Sequence, residues 1–265
     1  MNILTAISVL EKNGIQTRVT TVNKNGKMKN ALSIGSGTIV PTIYQEHLDG
    51  INDEDEMLRF ADSVLAKIPS YDIGHMFTRE YFLAHVRSCL RPATDDEESL
   101  TYPAFGDLEE YFRVFIEPFN DDSCPTVVVQ KAHLETLCID AGELRIAGRR
   151  NLREQVQILP MAEVIGALMG MEVPSTGSEQ IMYVATTKDK LHGASIMLLG
   201  DVLTEFCKEH GLESMCIIPS SRHEVLLIKD PADRESIDSM IKEINETQVA
   251  EEDRLSDHGY WFTAA

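Results

Sequence analysis

Residues 180–230, QIMYVATTKDKLHGASIMLLGDVLTEFCKEHGLESMCIIPSSRHEVLLIKD, change periodicity repeatedly, and that succession decides the fold. Residues 181–186 form a short β-rich run bounded by polar side chains. Residues 191–207 place Ile196, Leu199, Leu203 and Phe206 at three- and four-residue steps, the pattern of a helix with one buried face. Gly211 is a natural stop for that helix. The apolar runs 215–218 and 225–228 then flank a compact turn, Pro219-Ser220-Ser221-Arg222, and predict a β-hairpin at the centre of a sheet. Because hairpins interrupt the strand–helix alternation, the expected class is α+β: a mixed or largely antiparallel sheet carrying helices.

Upstream, residues 1–14 fit an amphipathic helix with Ile3, Ile7 and Leu10 on one face, ending at Asn13-Gly14. The turn Asn23-Lys24-Asn25-Gly26 lies between β-rich runs, and an Asn-Gly turn in that setting predicts a hairpin because both residues tolerate positive φ. Residues 38–44, TIVPTIY, read as an edge segment, since Pro41 cannot donate to a central ladder. Helices are expected over 54–68 and 78–90. Residues 91–106, RPATDDEESLTYPAFG, combine prolines with an acidic run and little periodicity, which places a boundary between a region 1–100 and a domain 101–265. The first region reads as a smaller helix-hairpin-helix unit. Strands at 111–116 and 126–129 are separated by the turn-rich 118–122, and helices are expected over 132–139, 144–156, 161–169 and 234–249. Residues 170–177 read as a loop. The aromatic end, Tyr260-Trp261-Phe262, is expected to pack as a strand or arm.

With 265 residues, a net charge of -19, 43% hydrophobic and 25% charged residues, the chain has the composition of a globular protein. Its apolar runs fall short of a membrane span, and the charge repels phosphate backbones and anionic lipid, so neither a nucleic-acid nor a membrane role is expected. The N-terminal stretch lacks a basic leader and a small-residue cleavage site, which points to the cytoplasm. The five cysteines (Cys89, Cys124, Cys138, Cys207, Cys216) contain no CxxC pair and read as reduced. The acidic runs 53–56, 95–98 and 251–253 suit helix starts and linkers rather than ion loops, so no metal is assigned.

Several segments resemble a known family: VNKNGKMKNALSI leading into IVPTIYQEHLDG, then VVVQKAHLETLCI, MYVATT with HGA five residues on, IIPSSRHEVLLIKD, and INETQVAEEDRLSD. They are similar, in the same order and over nearly the whole chain, to a family of bacterial proteins common in anaerobic gut Firmicutes and catalogued only as a domain of unknown function. The resemblance implies a cytosolic bacterial protein and no established activity, substrate or cofactor. Two positions depart from the family pattern: Arg222, where an apolar residue is usual, and Thr187, where Asn is usual. A role tied to either would be particular to this member.

The sharpest chemical possibility is Ser220, Ser221, His223 and Glu224, since a serine nucleophile needs a base in reach and an acid to orient it. Spacing argues against it: if His223 begins a strand, Glu224 points to the opposite face. No Gly-x-Ser-x-Gly elbow or glycine-rich oxyanion loop accompanies the serines. The structural reading, serines bonded to turn backbone and His223 tethering a neighbouring loop, is preferred. A second possibility is the basic helix LRIAGRRNLR, where Arg145, Arg149 and Arg153 are four apart and share a face that could clamp a carboxylate or phosphate, with Arg222 as a further ligand-binding candidate. Ordinary pairing with the chain's acids competes with that reading. His133 and Glu135 lack HExxH spacing, and Gly35-Ser36-Gly37 lacks the rest of a dinucleotide fingerprint, so no cofactor is expected. Three functions compete: a non-enzymatic binding or regulatory protein for a protein partner or small anionic ligand, which is preferred; a serine hydrolase using the PSSRHE segment; and a homo-oligomer subunit built through the aromatic tail. The sequence does not set an oligomeric state.

Overall fold

The computed structural model describes residues 1–24, 27–36, 40–66, 74–116, 125–170, 182–229 and 233–264. The expected turns at Asn25-Gly26 and 118–122, and the loop from 171 onward, lie outside the described residues. The fold is α+β, every strand pairing among the described residues is antiparallel, and the chain divides into two compact units, Met1–Met76 and Phe77–Ala265. Among the described residues no helix is long and apolar enough to cross a membrane.

In the first unit, α1 (Ile3–Lys12) starts where the Asn2 side chain accepts the Thr5 N–H at 2.8 Å, a standard N-cap. Strands β1 (Thr17–Lys24) and β2 (Lys27–Ile34) pair with Lys24 opposite Lys27, and β3 (Thr42–Tyr44), just after Pro41, takes the edge. Helices α2 (Gln45–Leu48) and α3 (Glu54–Leu65) follow, the latter capped by Asp53. Ala6, Leu10, Leu32, Ile34, Ile43, Leu48, Met57 and Ala61 bury together.

The second unit opens with α4 (Arg79–His85), which turns without a loop into β4 (Val86–Pro92). A single helix over 78–90 is therefore corrected: at Val86 the backbone becomes extended, with ψ 139. The freed carbonyls are taken up by a side chain 65 or more residues away: Asn151 Nδ2 lies 3.0, 3.0 and 2.8 Å from the oxygens of Leu83, Ala84 and Val86. Asn151→Ala strands the buried Val86 carbonyl and leaves those of Leu83 and Ala84 to solvent or Arg150, and should lower unfolding free energy by roughly 1–3 kcal/mol, read as a drop in the urea midpoint at unchanged slope.

Strands β5 (Thr101–Ala104) and β7 (Thr126–Val128) both pair with β6 (Leu108–Phe115), which pairs with β4 on its other side. The expected boundary at 91–106 thus falls inside this unit. Arg91, 4% exposed, fixes that stretch by reaching Glu109 at 2.6 Å and Asp96 at 3.1 Å, and Asp96 in turn accepts from Ser99 Oγ at 2.7 Å. After α5 (Lys131–Leu137) comes α6 (Ala141–Gln155), laid on the sheet face formed by Val86, Phe112 and Val114, with Gly148 against Ser88.

The larger sheet has the order β12-β10-β11-β9-β8: β8 (Val156–Pro160), β9 (Met182–Thr187), β10 (Ser214–Ser221), β11 (Glu224–Ile228) and β12 (Tyr260–Thr263), with α7 (Met161–Met169) after β8. The expected hairpin occupies its centre, and the aromatic end is the strand β12. The single helix expected over 191–207 is two pieces, a 3-10 turn Gly193–Leu198 and α8 (Gly200–Glu209), broken at Leu199 with ψ 71. All six residues of the 3-10 turn are buried, so no solvent face exists to sustain the amphipathic pattern. Ser195 Oγ accepts the Leu90 N–H at 3.0 Å, satisfying a donor of β4. Helix α9 (Arg234–Thr247), capped by Asp233, covers Cys216, Ile218 and Ile228.

Candidate functional site

The β10–β11 hairpin organises the site. Pro219 has no N–H for the ladder, and the register shifts between Ile218 and Ser221, a bulge that carries β10 onward to Ser221. The reversal is therefore Arg222-His223, between the paired Ser221 and Glu224, two residues later than the sequence suggests. The 3-10 turn presses against it. A Cβ on Gly193 would lie 2.4 Å from the His223 carbonyl oxygen, 2.6 Å from Thr186 Oγ1 and 2.7 Å from Thr186 Cα, so only glycine fits. Ala194 N–H donates to the Arg222 carbonyl at 3.3 Å, and the Thr186 hydroxyl to the His223 carbonyl at 2.8 Å. Asp253 closes the other side: its carbonyl accepts the Arg222 N–H at 2.8 Å, and its Oδ1 forms an ion pair with Arg222 Nε at 2.8 Å. MYVATT and the nearby HGA meet PSSRHE and AEEDRLSD here, segments spread over residues 182–257.

The facing wall comes from the smaller sheet. Arg87 pairs with Arg113 and Cys89 with Tyr111, so alternation sets these four side chains and Phe115 on one face. Cys89, Tyr111 and Phe115 form an apolar floor with Val128 and Leu191. The Arg87 guanidinium lies 3.9 Å over the Phe115 ring and 2.6 Å from Asp189. Arg113 donates through Nε and Nη2 to Thr126 Oγ1 at 2.9 and 2.6 Å, and has no carboxylate partner among the described residues. His192 projects between the walls, its ring centroid 6.3 Å from Tyr111, 6.2 Å from Phe115 and 5.8 Å from His223. It is 8% exposed, adopts the left-handed backbone at φ 55, and its Nδ1 is buried without a hydrogen-bond partner among the described residues. Left-handed backbone also occurs at Phe105, Cys138 and Lys190, and buried side-chain oxygens without a hydrogen bond at Ser88 and Asp253, but among the described residues the two features coincide only at His192.

Burial, then the positive charges of Arg113 and Arg222, the neighbouring His223 ring and finally the charge of Arg87, hold the His192 imidazole well below its usual range, so it is neutral at pH 7. Burial also pushes the Cys89 thiol up to about 12, which keeps it an unreactive thiol.

This geometry does not assemble the serine constellation. Ser221 Oγ accepts the His223 backbone N–H at 3.1 Å, and Arg222 Nε donates to His223 Nε2 at 3.1 Å. A neutral imidazole has one acceptor nitrogen, so this bond takes the lone pair a general base would use. The His192 N–H contact with His223 Nδ1 is longer, 3.4 Å. Among the described residues no hydrogen bond joins Ser220, Ser221 or Glu224 to the imidazole. His223 occupies the turn, not the start of β11, but its ring and the Glu224 carboxylate still do not cooperate.

The three arginines of α6 are also dispersed. Arg145 and Arg149 converge on Glu110, whose side chain is 1% exposed, at 2.9 and 2.8 Å, while Arg153 pairs with Asp201 and Glu205 of α8. A cleft of about 430 Å³ lies between Arg149, Arg150 and Arg153 and the start of α8 at Gly200 and Asp201. His133 spends Nδ1 on the Gln130 N–H at 3.2 Å. Leu255-Ser256-Asp257 is bolted down: Asn245 Nδ2 reaches the Ser256 carbonyl and Asp257, and Asp107 accepts from Ser256 Oγ and the Tyr260 hydroxyl, each at 2.7 Å. Tyr260 is thereby engaged within its own unit.

Sequence reasoning singled out Arg222 and His223 but not Arg87 or Arg113, and it reads His192-Gly193-Ala194 only as a helix entry, which in the structure is the start of the 3-10 turn. The available signal was a charge set in the apolar second half of a strand, Arg113 in YFRVF, yet nothing local connects it to His192.

Together these features define an α+β protein with a neutral, buried imidazole set among guanidinium groups at the junction of two antiparallel sheets. The chain belongs to the DUF5688 family, a family of unknown function, whose model matches residues 2–264. No match was found among curated proteins or among solved structures.

Proposed function

We propose that this protein is a non-enzymatic binding or regulatory protein that receives a small anionic ligand at the His192–Arg113–Arg222 junction. The observation that carries the reading is the unpartnered Nδ1 of buried His192, held where four sequence segments meet and faced by three guanidiniums. A polar atom left unpaired in the interior costs free energy, and a ligand that accepts its proton recovers it. The hydrogen bonds already made by Ser221 and His223 favour recognition over turnover.

Thermal melting of the full chain at constant ionic strength, with mono- and dicarboxylates, inorganic phosphate and phosphate esters, tests the reading. At least one anion should raise the melting temperature saturably, by an amount equivalent to about 2.7 kcal/mol at a hundred times its Kd. Equal melting temperatures with all of them would contradict it.

A further inference from the structure

The ion pairs around His192 limit the charge its ligand can carry. Arg87 is offset by Asp189 at 2.6 Å and Arg222 by Asp253 at 2.8 Å. Glu251 and Glu252 precede Asp253 on the same turn and only lower the positive charge on that side. That leaves Arg113, which uses one edge of its guanidinium on an uncharged hydroxyl, Thr126 Oγ1. With His192 neutral, the junction presents, among the described residues, one positive charge without a carboxylate partner, on Arg113, and one buried imidazole nitrogen without a hydrogen bond, Nδ1. A doubly charged phosphate would meet half the charge it needs, whereas a single carboxylate is matched: one oxygen to a guanidinium and one to an imidazole N–H. The rest of the wall is apolar, with Cys89, Tyr111, Phe115, Val128 and Leu191 beside His192. Cys89, Tyr111 and Phe115 are themselves closed over, at 0, 1 and 6% exposed, so a ligand must part them to enter, and the surface it then meets favours a hydrocarbon body over a polar one.

Building on the anion site proposed above, we infer that the ligand is a small monocarboxylate with an apolar body, its carboxylate shared between Arg113 and His192 Nδ1 and its hydrocarbon laid on the Tyr111–Phe115 floor. Arg113 and His192 are the residues that set specificity, and Arg222 acts from farther off, its guanidinium already held by Asp253 and by the His223 ring.

Isothermal titration calorimetry of the full chain at pH 7 with sodium butanoate, sodium hexanoate and inorganic phosphate decides the matter. Both alkanoates should bind at one saturable site, hexanoate tighter than butanoate, and phosphate at least tenfold more weakly. Arg113→Gln should weaken alkanoate binding at least tenfold, about 1.4 kcal/mol. His192→Asn, a residue that tolerates the left-handed backbone, should do likewise. Should Arg113→Gln melt early, Arg113→Lys keeps the charge, loses the planar fork and should show a smaller loss. Phosphate binding without alkanoate binding overturns the monocarboxylate assignment and leaves the anion site standing. Binding of neither class overturns the monocarboxylate assignment, and the anion site falls with it if dicarboxylates and phosphate esters also leave the melting temperature unchanged. Alkanoate binding unchanged in the Arg113 and His192 variants places the carboxylate elsewhere and overturns the inference.

Discussion

Replacing Arg145 and Arg149 together by methionine is expected to cost about 3–5 kcal/mol of unfolding free energy, because it leaves the Glu110 carboxylate buried and unpaired. Arg149 makes a two-pronged contact, Nε to Oε1 at 3.0 Å and Nη2 to Oε2 at 2.8 Å, and Arg145 adds Nε to Oε2 at 2.9 Å. Burial works against the Glu110 charge, but the hydrogen bonds from Arg149 and the charges of Arg149 and Arg145 outweigh it, so the carboxyl titrates below its usual range. A carboxyl whose folded-state pKa is depressed adds stability above its unfolded pKa and loses it as pH falls through the lower, folded value. The triple variant Glu110→Leu with Arg145→Met and Arg149→Met removes the charge with its partners. It should recover most of the loss at pH 7 and show a flatter fall of urea midpoint in acid. A double variant as stable as wild type would mean that these arginines are not structural and would return them to candidacy as a ligand clamp.

The second large effect is expected at Gly193. An added methyl there meets the His223 carbonyl at 2.4 Å and the Thr186 backbone at 2.7 Å, neither of which can swing aside as a side-chain end could. Gly193→Ala should therefore cost about 3 kcal/mol or more, at the upper end of overpacking. It should also separate the 3-10 turn from the Arg222-His223 reversal, so that ligand binding falls with stability. Gly200→Ala is the control: nothing lies within 4 Å of its added methyl, and its effect should be small.

What the sequence made legible follows from how local each cause is. The central hairpin, the aromatic end strand and helices such as α7 and α9 are contiguous patterns, and they stand as expected. The boundary between α4 and β4 was hidden because its cause is Asn151, distant in sequence, taking three carbonyls. Pro219 was misleading in an instructive way: it read as a turn residue, yet it makes a bulge that moves the turn on to Arg222-His223. The α6 arginines shared a helical face as predicted, but Glu110, on a strand before that helix, claims two of them. The site itself joins Arg87, Arg113, His192 and Arg222, and strand pairing, not spacing, brings them together.

Capture of an anion at this site requires the tautomer of neutral His192 that carries its proton on Nδ1. The most direct measurement is the ring-nitrogen NMR spectrum of the histidines at pH 7 during a butanoate titration. The His192 signals should be those of a neutral imidazole and should move saturably, while the butanoate signals persist unchanged through prolonged incubation. A His192 ring that is charged at the outset, or that stays still at every butanoate concentration while the ligand binds, would contradict the account.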